Sequence, residues 1–307
     1  MNESHNLSCF FLPINWDYTK DSEVIVTNVF ACVLNSMFSV LTFCVNFLVL
    51  YAIRKSPCLN SPSFILLCCL ALSDLLVGAF CQPFYVGYKI AELIKNFTAY
   101  CPLKMISFIS GWISSSVSFL TLALISIDRL LVLTLHLRYN AFVTVSRVTR
   151  AVVVVWITCI CAVFSRFWIH SYWIAFPFMT FLLTYLVTAL CTLRIFHIAR
   201  RHQRQIHDQT TAARSLQSDN VNILRCKKSA VTVLYVYALF LIFYLPLFVT
   251  MIVHTFIGYT REVKIAYNCV TTVIFINSFL NPLVYCWRIR EIRRAMKRIL
   301  QKTLSER

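Results

Sequence analysis

Asp74 is the sole charge in a run that extends from Ser63 to Tyr88. A carboxylate at mid-depth in an apolar helix costs at least ~2.5–3.5 kcal/mol even on a lenient scale, so it must face other polar groups. Asn46, Ser118, Asn277, Ser278 and Asn281 stand at comparable depth in other uncharged runs. Together these oxygens could cage a small cation or a water network, or simply tie helices by hydrogen bonds. A second pair, Asp128-Arg129, closes the uncharged run Met105 to Ile127. It could be an interfacial anchor, or a guanidinium reaching between the inner ends of other helices, covered or released as they move. Pro83, Pro177, Pro246 and Pro282 fall inside apolar runs, where each would remove a backbone hydrogen bond and kink its helix. Tyr244 and Asn281 set a polar group beside two of those kinks.

None of this is catalytic chemistry. The chain has no G-x-S-x-G, H-E-x-x-H or P-loop, and no Cys/His spacing that suits zinc. Most of the 14 cysteines lie inside apolar runs, where Cys acts as a small polarizable apolar residue. Cys9 and Cys101 fall outside them and form a candidate disulfide. The expectation is a protein that is not an enzyme and requires no cofactor.

The elements that hold these residues follow from composition. Of 307 residues 59% are apolar and 13% charged, about half the charge of a water-soluble chain. That excludes soluble enzymes, disordered chains and small disulfide scaffolds. The net charge of +17 does not imply nucleic acid, because such binders carry their basic patch on a soluble body. A helix crossing the bilayer needs about 20 apolar residues. The uncharged runs supply seven, at about 24–54, 62–90, 103–133, 147–166, 168–198, 226–257 and 264–287. The expected fold is an all-α membrane bundle of seven transmembrane helices, 24–287. It follows a 1–23 amino-terminal segment and precedes a basic amphipathic helix, 288–301, and a tail, 302–307.

Orientation follows from Lys and Arg, which favour the cytoplasmic side. With the amino terminus outside, cytoplasmic segments hold 22 of the 29 basic residues and five acids, which accounts for the whole excess. A multi-pass plasma-membrane protein with a cytoplasmic carboxyl terminus is expected. Sequons at Asn2, Asn6 and Asn96 then lie outside as candidate glycosylation sites. The residues after Trp287 alternate basic and apolar in helical steps, and would lie on anionic inner-leaflet lipids.

In order and spacing these residues resemble the rhodopsin-like (class A) G-protein-coupled receptors. The resemblance is carried by Asn46, Leu70-Ala-Leu-Ser-Asp74, Ser126-Ile-Asp128-Arg129, Trp156, Pro177 with Tyr185, and Phe240 with Phe243-Tyr244-Leu-Pro246. Asn277-Ser-Phe-Leu-Asn281-Pro282-Leu-Val-Tyr285 and the basic helix complete it. It implies a sodium ion as allosteric ion, held by Asp74, Ser118, Asn277 and Asn281. It also implies that Asp128, Arg129, Leu137, Tyr185, Asn281, Pro282 and Tyr285 serve G-protein coupling. Phe119, Pro177, Phe240, Tyr244 and Pro246 would relay motion from ligand to helix opening.

The chain departs from that pattern in several places. Leu130 follows the arginine where tyrosine is usual, and Tyr244 stands where tryptophan is usual. Cys226 replaces an acid that often locks the arginine, which implies basal activity. Lys104 occupies the usual position of the extracellular cysteine, with Cys101 nearly a turn earlier. Gly111 replaces the aspartate of amine receptors, and Phe275 the lysine that binds retinal. The inner-loop stretch Leu137-Arg-Tyr-Asn140 is similar to adenosine receptors, but Met251 replaces their base-recognising asparagine. The short second outer loop is similar to that of melanocortin receptors, without their acidic residues.

Counting along the helices places Phe84, Tyr85, Phe108, Trp112, Ser115, Trp173, Phe248, Met251 and Thr271 around a ligand pocket. These are largely aromatic and uncharged, so an apolar or weakly polar extracellular small molecule is expected, with a heterotrimeric G-protein as inner partner. Two other readings stand beside this one: a ligand-independent or partner-subunit protein of receptor type, and, more remotely, a secondary transporter.

Overall fold

A computed structural model describes residues 8–9, 12–13, 21–55, 61–135, 138–165, 175–209, 238, 240–288 and 290–305. Its helices are α1 (Ser22–Lys55), α2 (Pro62–Leu76), α3 (Gln82–Leu93), α4 (Phe97–Leu135) and α5 (Tyr139–Phe142). They continue as α6 (Val145–Ser165), α7 (Ala175–Gln209), α8 (Phe240–Ile257), α9 (Arg261–Arg288) and α10 (Arg290–Ser305). A π-helical turn, Val77–Cys81, joins α2 to α3, so the two form one span. Among the described residues seven helices are long and apolar enough to cross a membrane, and α10 follows them. The one β feature among the described residues is a short ladder pairing Ser8–Cys9 with Leu12–Pro13.

The bundle is built inside out relative to a soluble one. On α1, Val26, Phe30, Val33 and Val40 are exposed, whereas Asn28, Asn35, Thr42 and Asn46 are buried. Apolar side chains facing outward suit lipid, and polar ones facing inward tie the helices together. Thus Asn35 donates to Thr272 (3.0 Å), Asn268 to Asn28 (2.8 Å) and Asn46 to the Ser278 carbonyl (3.1 Å), joining α1 to α9.

The prolines differ from one another. Pro83 follows the π-helical turn, which widens the helix just where the pyrrolidine ring would meet the preceding turn. Gly78 sits in that turn, and a Cβ there would lie 2.7 Å from the Phe43 amide nitrogen. The missing side chain lets α1 approach the turn closely, and the Ser39 hydroxyl donates to the Gly78 carbonyl (2.7 Å). Pro177 belongs to α7, and the residues that precede Ala175 lie outside the described ones. Pro246 and Pro282 do lie inside α8 and α9.

Between α3 and α4 the chain turns tightly. Asn96 N donates to the Ala91 carbonyl (2.9 Å) and Lys95 N to Glu92 (3.2 Å), with Lys95 at φ 56°. This is a Schellman end with lysine where glycine is usual. Asn96 Oδ1 then accepts the Ala99 amide (3.1 Å) and caps α4. The third span therefore begins six residues before the charge pattern suggests, and it carries Lys104 within it.

At the opposite end α10 lays Ile292 and Ala295 into the main core beside Val49 and Ile53 of α1. Arg293, Arg294, Lys297 and Arg298 remain exposed. The apolar side of this helix thus meets protein rather than lipid, while its basic side stays free.

Candidate functional site

In the half of the bundle where α1 begins, α3, α4, α7, α8 and α9 enclose a cavity of about 550 Å³. That volume suits a small organic molecule. Among the residues expected around it, Tyr85, Phe108, Trp112, Ser115, Phe248, Met251 and Thr271 line it, and Gly111 adds open space. Phe84 is not part of the lining, because it stands beside Tyr85 on α3 and consecutive helical side chains diverge by a quarter turn or more. Trp173 lies outside the described residues.

The lining is not uncharged, which corrects the expectation. Lys89, Glu92 and Lys104 border the cavity, with Tyr88 and Tyr100. Lys89, Glu92 and Lys264 are at most 4% exposed. Glu92 takes an ion pair from Lys89 (3.2 Å), another from Lys264, and a hydrogen bond from Asn28 (3.3 Å). Lys104 donates to the Tyr100 hydroxyl (3.0 Å) and has no carboxylate partner among the described residues. At span ends these charges read as loop residues in the sequence. The only signal that could have found them is helical spacing: Lys89 and Glu92 are one turn apart on α3, facing the same way as Tyr85.

The cavity floor is also the aromatic relay. Phe119, Phe181, Tyr244 and Phe248 line the space. Phe119 meets Tyr244 at 4.4 Å between ring centroids, Phe240 at 5.4 Å and Phe181 at 5.3 Å. Tyr244 stacks on Phe240 and donates to the Ser115 hydroxyl (3.3 Å). Tyr185 flanks a small gap beside Phe119 and Phe240. Three helices, α4, α7 and α8, therefore share one set of rings. The Pro177 side chain lies outside the described residues.

Below the relay sits the polar centre. Asn281 Nδ2 donates to Asp74 Oδ2 (2.9 Å), and the Ser73 and Ser118 hydroxyls pair at 2.8 Å. Asp74, Ser118, Asn277 and Asn281 are all buried. The side-chain oxygens of Asn46, Asn277 and Asn281 are buried without a protein partner. A carboxylate with several orphan oxygens is a donor set that fits a hard cation.

At the far face Asp128 is the hub. It accepts from Ser63 (2.7 Å) and from the Tyr139 hydroxyl (2.6 Å), and stands 3.6 Å from the Arg129 guanidinium. The acid therefore ties α4 to α2, to the short helix α5 and to its own neighbour. Burial and donation to Asp128 push the Tyr139 phenol up to about 12. Leu137 and the Tyr285 side chain lie outside the described residues, and Pro282 is buried in α9. Cys101 is disulfide-bonded. Asn96 is exposed, whereas Asn2, Asn6 and Cys226 lie outside the described residues.

Residues 45–172 and 159–285 match the family described as 7 transmembrane receptor (rhodopsin family). The chain is 27% identical to trace amine-associated receptor 7d of Mus musculus, covering 99% of this chain and 89% of that one. It is 28% identical to trace amine-associated receptor 7c of Rattus norvegicus, covering 97% and 87%. Seven membrane-length helices, a shared aromatic floor beneath a cavity and a family match over most of the chain agree. The chain belongs to the rhodopsin family of seven-transmembrane receptors, and is a multi-pass membrane G-protein-coupled receptor rather than an enzyme.

Proposed function

We propose that the protein sits in the plasma membrane with its amino terminus outside, and converts binding of an extracellular small molecule into heterotrimeric G-protein activation. One observation carries this reading: Phe119 and Tyr244 line the cavity and also pack on Phe240. Occupancy of the cavity and the tilt of α8 therefore depend on the same rings. A ligand acts through its differential affinity for the two arrangements, and a nearly complete switch needs roughly 5.5 kcal/mol of such preference. Opening α8 and α9 at their inner ends would free Arg129 to receive the G-protein. The preformed cavity favours this reading over a ligand-independent one.

The relatives are named for trace amines, but Gly111 offers no carboxylate to an ammonium group in this cavity. Sodium at Asp74 would hold the resting arrangement, with Ser118, Asn277 and Asn281 as its other donors. Cys9 is the proposed partner of Cys101. Asn96 would carry glycan, and the basic side of α10 would rest on anionic inner-leaflet lipid.

The test is GDP–GTP exchange on purified G-protein by the full chain in lipid nanodiscs, across the main G-protein classes and a panel of metabolites and lipids. Acceleration in at least one combination is expected. Exchange at the rate of G-protein alone in every combination would overturn the proposal.

A further inference from the structure

The charged rim of the cavity selects the sign of its ligand. Four charged groups gather there, from α3, α4 and α9: the ammonium groups of Lys89, Lys104 and Lys264, and the single carboxylate of Glu92. That carboxylate is shared between Lys89 and Lys264. The other described acids near this face are engaged or turned outward: Asp21 and Glu23 pair with Arg261, and Glu262 is exposed. Among the described residues two positive charges are therefore left over, with Lys89 and Lys264 buried and Lys104 partly so. Aromatic faces offset part of the excess. The Lys89 ammonium lies 5.2 Å from the Tyr88 ring centroid, and that of Lys104 lies 5.1 Å from the Tyr100 ring centroid. A ring quadrupole is a weak substitute for a counter-ion, and buried excess charge is costly until paired.

Lys89 and Lys104 border the same cavity whose other end is Trp112, Phe119, Phe181 and Phe248. We infer that the ligand is an amphipathic organic anion, with its acidic head between Lys89 and Lys104 and its apolar body on the aromatic floor. The inference rests on the cavity being the receptor's ligand site. It gives the opposite charge preference to an amine receptor: Gly111 removes an acid from the cavity while Lys104 adds a base. A carboxylate there would receive two charge-assisted hydrogen bonds, stronger than those to a neutral hydroxyl.

Three probes of equal chain length, dodecanoate, dodecanol and dodecylamine, separate the possibilities. Binding is measured below micelle formation, by thermal shift and by quenching of tryptophan fluorescence, on the full chain in zwitterionic nanodiscs without G-protein. Dodecanoate should bind about tenfold tighter than dodecanol, with dodecylamine weakest. Lys104→Gln leaves no carboxylate unpaired and should erase the difference between acid and alcohol, whereas Lys104→Arg should retain it. Dodecanol or dodecylamine matching dodecanoate, or an acid preference that survives in Lys104→Gln, would overturn the inference. Because binding is read without G-protein, an acid preference with no nucleotide exchange would count against coupling alone. Exchange stimulated solely by uncharged or cationic compounds would count against the anion alone.

Discussion

Asp128 and Tyr139 make a clasp at the face opposite the cavity, and single atoms decide its strength. The Tyr139 phenol donates to a buried carboxylate that also holds Arg129 and Ser63. Hydrogen bonds to charged groups contribute about 1.5–3 kcal/mol. Tyr139→Phe should therefore loosen Asp128 and raise basal GDP–GTP exchange several-fold; an unchanged basal rate would mean that the phenol does not restrain the resting form. With its pKa pushed up to about 12, the phenol keeps its proton through the pH range of ordinary assays. Because the folded value lies above the ordinary one near 10, its stabilisation is complete below pH 10 and is lost as pH rises through about 12. Tyrosinate absorbance compared between the native chain and Tyr139→Phe should show the missing phenol titrating late, and a normal midpoint would contradict the contact. Asp74 and Asn281 were legible as polar residues out of place in apolar runs, and the structure joins them by a hydrogen bond. Lys89, Glu92 and Lys104 were not, since a charge near the end of an apolar run reads equally well as the start of a loop.

At the scale of elements, two turns carry testable strain or closeness. Lys95 occupies a left-handed position at the end of α3, where glycine has no side-chain penalty. Lys95→Gly should stabilise the receptor by up to about 1 kcal/mol, read as a higher melting temperature in detergent. A lower one would mean that the lysine side chain supplies more than its backbone costs. Gly78 packs the π-helical turn against α1 with no room for a methyl group. Gly78→Ala should cost about 1–3 kcal/mol through forced separation of the two helices, lowering both melting temperature and surface level. Unchanged stability would show that the two backbones can part freely. Helix number followed from the lengths of the uncharged runs, because bilayer thickness leaves little freedom. Their ends did not: α4 starts six residues early because Asn96 caps it, a local hydrogen bond that hydropathy does not register. The π-helical turn was equally hidden, since it depends on how α1 approaches Gly78 rather than on any local residue pattern.

The whole molecule is a bundle with a charged and aromatic cavity at one face, a polar centre and a clasped guanidinium at the other. Sodium at the polar centre would link the two by favouring the resting arrangement. Asp74→Asn should abolish any sodium dependence of ligand affinity measured in matched sodium and potassium salts; dependence that persists would place the cation elsewhere. The outward apolar surface of α1 and the inward asparagines explain why the chain reads so clearly as a membrane bundle from composition. What composition could not supply was the sign of the cavity, which depends on three helices bringing distant lysines together. Arg129 is proposed as the group through which this bundle acts on a G-protein. The most direct measurement is GDP–GTP exchange by Arg129→Ala beside the native chain, both in nanodiscs at equal receptor level and with the same activating compound. Exchange should fall to that of G-protein alone while the variant keeps its fold and surface level; exchange at the native rate would contradict this role of Arg129.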